Sequence, residues 1–124
     1  MKVVDSSGWL EFFTDGSLAS AYAGHLKNPL EIVTPVIVLY EVYKVIKRER
    51  SEEEAFSALM QMEKTHVVPI DDVLALTAAD LSLEHGLAMA DSIVYATAIL
   101  HRATLVTSDS DLSELPHVTY LKKP

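Results

Sequence analysis

The chain is 124 residues long, carries a formal charge of −8 at pH 7 and contains no cysteine. That length suits one domain burying about two-thirds of its unfolded surface, so no staples are needed; without cysteine there is no disulfide framework and no thiolate metal site, which leaves oxygen or imidazole as ligands in a reducing, cytoplasmic setting. The acidic balance excludes nucleic-acid binding through bulk charge, but not a site whose excess acids hold divalent cations.

Strand-like residues begin at Lys2 with no basic leader, and no apolar stretch approaches the ~18 residues of a membrane span, so a soluble protein with no membrane partner is expected. Lys2, Val3, Val4 and Asp5 read as a short strand ending in an acid, followed by Ser6, Ser7 and the apolar Trp9, Leu10, Phe12 and Phe13. Asp5 thus stands at a strand's carboxyl end, where open α/β sheets place their ligands. The plainer reading makes Asp5 or Ser6 the cap of the next helix. Asp15 and Gly16 form a turn, and Ser17 to Leu26 predicts a small-residue helix closed around Asn28 and Pro29. The five histidines, at positions 25, 66, 85, 101 and 117, show no metal-ligand spacing.

Ile32, Val33 and Thr34 predict a second strand, and Pro35 suits the first turn of the helix after it. From Val36 to Ile46 that helix is apolar on nearly every side, yet Glu41 stands in its middle, with Ile37, Val38, Lys44 and Val45 as helical neighbours. A carboxylate there is costly unless paired or bound to a metal. A local pair with Lys44 is the simplest partner, but such exposed pairs contribute only ~0.3 to 0.5 kcal/mol, so a metal or a facing cation explains more. Lys44, Lys47, Arg48 and Arg50 either complement the helix dipole or hold a phosphate backbone. Ser51 and Glu54 open a capping box. Phe56, Leu59, Met60 and Glu63 follow at helical spacing, with Met62 off the main stripe; core packing is the default reading and a partner groove the sharper one.

His66 to Ile70 is a third strand, with Pro69 marking an edge or a strand end. Asp71 and Asp72 cap a helix that runs through Val73, Leu76, Ala79, Asp80 and Leu83 to a stop at Gly86. Ala88 to Arg102 is the next helix, with Asp91 in its first turn, where the dipole favours an anion. The strand Thr104 to Thr107 then delivers Ser108, Asp109, Ser110 and Asp111 into a polar turn. Because a helix of about ten residues and a strand of about five have similar lengths, the chain returns to where the helix began, and Asp91 and Asp109 can share one end of a sheet. Asp111 with Glu114 matches another capping box, which gives Asp111 a structural role and Asp109 the chemical one. Val118 to Leu121 form a last, edge strand.

Alternating strands and helices predict an α/β fold, a three-layer α/β/α sandwich with a central parallel sheet, as a single domain over residues 1–124. Asp5, Glu41, Asp91 and Asp109 all lie at strand ends or in the helices that leave them. Without His or Cys partners, an oxygen-only cluster selects Mg²⁺ or Mn²⁺, and acids around such ions suit phosphodiester hydrolysis. No phosphate-cradling Gly-rich loop, nucleophile elbow or zinc-protease helix competes.

Asp5 with Ser6, Glu41 in its apolar helix, the segment Leu87, Ala88, Met89, Ala90, Asp91, and Thr107 followed by Asp109 together resemble the PIN-domain family, especially the small VapC-type toxins, over essentially the whole chain. The resemblance implies a PIN-like nuclease domain acting as an Mg²⁺- or Mn²⁺-dependent endoribonuclease on RNA, commonly a toxin held inactive by a small antitoxin protein and commonly a homodimer. By that match Asp5, Glu41, Asp91 and Asp109 form the catalytic, metal-binding set, with Ser6 and Thr107 as hydrogen-bonding supports. A binding or adaptor protein that keeps this fold but acts through partner contacts is the alternative. A signalling receiver domain would need adjacent acids after the first strand, where Asp5 is instead followed by Ser6 and Ser7.

Overall fold

The computed structural model describes residues 1–124. Five strands, β1 (Lys2–Val4), β2 (Val33–Pro35), β3 (His66–Val68), β4 (Thr104–Thr107) and β5 (Val118–Tyr120), alternate with six helices. These are α1 (Ser6–Phe13), α2 (Ala19–His25), α3 (Val36–Glu49), α4 (Glu52–Met62), α5 (Asp72–His85) and α6 (Met89–Leu100). Every strand pairing is parallel: β1 with β4, β4 with β5, and β2 with β3. A single parallel bridge between Lys2 and Ile32 joins the two ladders into the order β3-β2-β1-β4-β5. The chain forms the three-layer α/β/α sandwich that its alternating pattern predicts.

The strands are short because each only needs to cross the core. Val3, Val4, Val33, Leu105 and Val106 are buried, as expected for parallel strands covered on both faces. Ser92 to Ala98 of α6 are buried without a break, so this helix runs through the protein and must begin at a fixed place, which sets where Asp91 stands. The chain beyond β5 stays attached: the Leu121 amide donates to the Thr107 carbonyl at 2.8 Å. Lys123 Nζ meets the buried Glu11 carboxylate of α1 at 2.9 Å. No single helix is long and apolar enough to cross a membrane.

Several boundaries move from their predicted places. Pro35 is the last residue of β2, paired with Val68, and the N-cap of α3 rather than part of its first turn; its ring fixes φ at −62° with ψ at 140°, an extended pair of angles that ends the strand and turns into the helix. The third strand stops at Val68, before Pro69 and Ile70, and lies at the sheet edge as the proline suggests. The stripe on α4 is inverted. Ala55, Ala58 and Met62 face inward, while Phe56 and Met60 are exposed. The small alanines let α4 lie close against α3, a preference that the bulkier residues would block.

Candidate active site

The carboxyl ends of β1, β2 and β4 and the first turns of α1, α3 and α6 meet at one place. Asp5 follows β1 directly and caps α1, its Oδ1 accepting weakly from the Gly8 amide at 3.4 Å. Both readings of Asp5 therefore hold, because the cap also faces the other acids. It is 6 % exposed, and both of its oxygens are held by hydroxyls: Ser7 Oγ donates to Oδ1 and Thr107 Oγ1 to Oδ2, each at 2.6 Å.

The direction of these bonds is fixed by the backbone. The Ser108 amide donates to Ser7 Oγ at 3.1 Å, and the Asp109 amide donates to Thr107 Oγ1 at 2.9 Å. Each hydroxyl thus accepts from an N–H and points its own proton at Asp5. Asp5 must accept on both oxygens, which the ionised carboxylate does best. Burial pushes its pKa up, while Ser7, Thr107 and the Gly8 amide oppose the rise and the Asp109 charge adds to it. From α2, the Tyr22 hydroxyl bonds Ser108 Oγ at 2.6 Å and completes the support beneath the turn.

Asp91 lies in the first turn of α6, behind an N-cap residue, Ala88, with no capping side chain. Its pKa is pushed up to about 6, first by burial and then by the charges of Asp109, Asp5, Asp111 and Glu41. Glu41 of α3 is raised for related reasons: burial leads, the Ser6 hydroxyl offsets part of it, and Asp5 and Asp109 add to it. The four predicted acids therefore sense one another's charge at one end of the sheet. Ligand oxygens of Asp91, Asp109 and Asp111 lie within 4.8 Å of one another. This all-oxygen donor set could hold a hard divalent cation of the Mg²⁺ or Mn²⁺ type, and mutual repulsion among the carboxylates is what such a cation relieves.

Two sequence expectations need correction here. Asp111 does not act as a cap, and no hydrogen bond joins it to Glu114; instead Asp109 caps the 3-10 turn Ser110–Leu112, its Oδ1 accepting from the Asp111 amide at 2.9 Å. Asp109 thus keeps one oxygen on the turn, and the turn carries the Asp111 carboxylate into the cluster. Lys44 does not pair with Glu41 either: Lys44 Nζ donates to Tyr40 Oη at 3.3 Å and sits 5.2 Å over that ring. Its charge still lowers the Glu41 pKa slightly. The remaining cations of the predicted backbone track meet acids at the surface, Lys47 with Glu52, Arg48 with Glu49 and Arg50 with Glu54.

Sequence reasoning missed Ser7, Ser108, Tyr22 and Asp111 as site residues. Ser7 and Asp111 left a signal, since Asp5 is followed by two serines and the loop alternates serine and aspartate. Tyr22 left none, because its bond to Ser108 spans 86 positions.

Comparison with known proteins agrees with this architecture. The PIN domain matches residues 2–118, and the chain belongs to that family. No curated protein sequence matches it. Among solved structures it is similar to a toxin–antitoxin complex from Klebsiella pneumoniae, with 23% identity, TM-score 0.85, and 99% of this chain and 100% of that chain covered. It is also similar to VapC20 of Mycobacterium tuberculosis, described as a sarcin-ricin loop cleaving toxin, with 18% identity, TM-score 0.75 and coverage of 91% and 93%. A third is VapBC2 from Rickettsia felis, bound to a DNA fragment from its promoter, with 16% identity, TM-score 0.75 and coverage of 98% and 97%.

Proposed function

We propose that this protein is a divalent-metal-dependent endoribonuclease that hydrolyses RNA phosphodiester bonds in the cytoplasm, and that it is the toxin of a toxin–antitoxin pair. The observation that carries the reading is the meeting of the Asp91, Asp109 and Asp111 carboxylates in front of Asp5 and Glu41, whose charges reach them. Its proposed partners are RNA as substrate, a small antitoxin protein and a second copy of the chain. The antitoxin is supported by the toxin–antitoxin complexes among the similar structures. The exposed Val73, Leu76 and Leu83 of α5 give a second copy an apolar surface to cover.

Asp91, Asp109 and Asp111, with Glu41 beside them, would hold Mg²⁺ or Mn²⁺. The chemistry such an ion supplies is activation of water and neutralisation of charge developing on the phosphate. The chain's own residues do the positioning. Thr107 and Ser7 orient Asp5 at the base of the site and oppose the rise that burial imposes on its pKa, Asp109 is held by its own turn, and Asp91, whose pKa stands at about 6, is the acid whose proton a cation would displace. Ser6 of α1 faces Glu41 of α3 closely enough to lower its pKa, and it would orient that carboxylate.

The test is Mg²⁺- or Mn²⁺-dependent cleavage of single-stranded and tRNA-like RNA by the unmutated protein, Asp91→Asn and Asp111→Asn, with thermal melts of all three. Losing an outer-shell partner of a metal typically costs roughly 10- to 100-fold, so Asp91→Asn should lose more than that while melting no lower, because repulsion among the acids falls. Asp111→Asn should also lose activity, by a smaller factor. Cleavage by Asp91→Asn equal to that of the unmutated protein would remove the assignment.

A further inference from the structure

Nine side chains in the protein are aromatic, and only Tyr40 and Phe56 are exposed, at 61 % and 50 %. They lie together. An open trough of about 470 Å³ between α3 and α4 is lined by Val36, Leu39, Tyr40, Tyr43, Phe56 and Leu59, aliphatic and aromatic side chains with no charged residue among them. The Tyr43 and Phe56 rings meet edge to face, with centroids 5.8 Å apart. The rim is cationic: Lys44 stands 5.2 Å over the Tyr40 ring and Lys47 5.4 Å over the Tyr43 ring. Four of the ten lysines and arginines of this acidic chain, Lys44, Lys47, Arg48 and Arg50, fall on this one stretch.

Val36 follows Pro35 at the carboxyl end of β2, the end of the sheet where Asp5 and Asp109 stand, and Tyr40 is the residue next to Glu41. Tyr40 and Glu41 point to different sides of α3, so a strand of RNA with one phosphate at the acids would lay an unpaired nucleotide against these rings by passing around that helix. Flat aromatic faces edged by ammonium groups recognise a base by stacking and its phosphate by charge, with little preference for sequence. The Lys47, Arg48 and Arg50 pairs are exposed; surface pairs of this kind are weak and exchange readily for a phosphate.

We propose that the α3–α4 trough is a base-stacking subsite for single-stranded RNA, in which Tyr40 and Phe56 hold an unpaired base flanking the bond to be cut and Lys44 holds its phosphate. This rests on the endoribonuclease reading above and adds a substrate class to it: unpaired RNA next to the cleavage point.

The experiment is steady-state cleavage of a short single-stranded RNA by the unmutated protein, Tyr40→Ala, Phe56→Ala and Tyr40→Trp. The same RNA is also prepared with one abasic nucleotide at each position in turn. Both side chains are exposed, so the alanine variants should melt normally. KM should rise about tenfold in each alanine variant with kcat nearly unchanged, within the range seen on losing one stacked base. Tyr40→Trp should restore it. One abasic position should raise KM for the unmutated protein and raise it no further for Tyr40→Ala. If the unmutated protein cuts no RNA, the nuclease reading falls and this subsite falls with it. If it cuts RNA and both alanine variants keep its KM, the subsite alone is overturned. The subsite is equally overturned if those variants change only the molecular mass in solution, which would assign the trough to a protein contact.

Discussion

Asp5 and Asp91 are two aspartates in one cluster held in opposite ways. Asp5 receives a proton-bearing hydroxyl on each oxygen, so donors fixed by the β4 turn favour its ionised form against the burial that raises its pKa. Asp91 has no such donors, and the crowding of the cluster falls on it: its pKa stands at about 6 against 3.8 for an ordinary aspartate. A carboxyl that binds its proton more tightly in the folded state stabilises the fold below its unfolded pKa, and that contribution is lost as pH rises through the folded value. Without divalent cations, the melting temperature should therefore fall between about pH 4 and about pH 6, and Asp91→Asn should flatten this slope. Asp5 and Glu41 shift in the same direction and leave a residual slope. Adding Mg²⁺ should stabilise the protein increasingly as pH rises through the same window, because the cation competes with the proton for Asp91. Melts across pH with and without chelator read both effects. A profile that does not change on Asp91→Asn would place the shared proton elsewhere. The four principal acids were legible in the sequence because each interrupts an apolar pattern or ends a strand. Asp111 was misread because its spacing to Glu114 matched a capping box while the turn was set by Asp109.

At the scale of elements, α1 is placed by what it lacks. A Cβ on Gly8 would come within 2.3 Å of the Tyr22 ring and 2.7 Å of Val4 Cγ1, so only glycine lets α1 approach α2 and β1 this closely. Gly8→Ala should cost about 1 to 3 kcal/mol, the usual penalty for overpacking, readable as a lower urea midpoint. It should also reduce cleavage, because a displaced Tyr22 gives up Ser108 and loosens the turn that carries Asp109. A variant as stable and active as the unmutated protein would show that α1 can shift without moving the site. Caps were the most readable part of these elements. Ser51 accepts from the Glu54 amide at 3.0 Å, Asp71 from the Leu74 amide at 2.8 Å, and Gly86 ends α5 at φ 69°, all as their residue types predict. The face of α4 was not readable, since Phe56 and Met60 look like core residues until the alanines beside them are seen to make the closer contact with α3.

For the whole molecule, alternation of strand and helix was enough to predict a parallel sheet, but not the order β3-β2-β1-β4-β5. Each strand has only three or four residues, and nothing within so short an apolar run names its neighbour. That order brings the first strand against the fourth. It is also what places Thr107 on Asp5.

The bond between Thr107 and Asp5 closes a span of 102 positions, and this has a consequence for how the protein is made. A chain emerging from the ribosome has Asp5 and Glu41 made long before β4 exists to pair with Val3 and Val4. Synthesis adds about 5 to 20 residues per second, so for several seconds the growing polypeptide carries Asp5 and Glu41 and none of the architecture that makes them part of a site. On the reading proposed above, the newborn chain cannot attack the machinery that is translating it, and there is an interval in which an inhibitor can be waiting when the last strand arrives. A chain ending at Leu100 should accordingly remain unfolded, gain no stability from Mg²⁺ and cut nothing. Circular dichroism and the cleavage assay on that fragment would check it, and a folded or active fragment would end the argument.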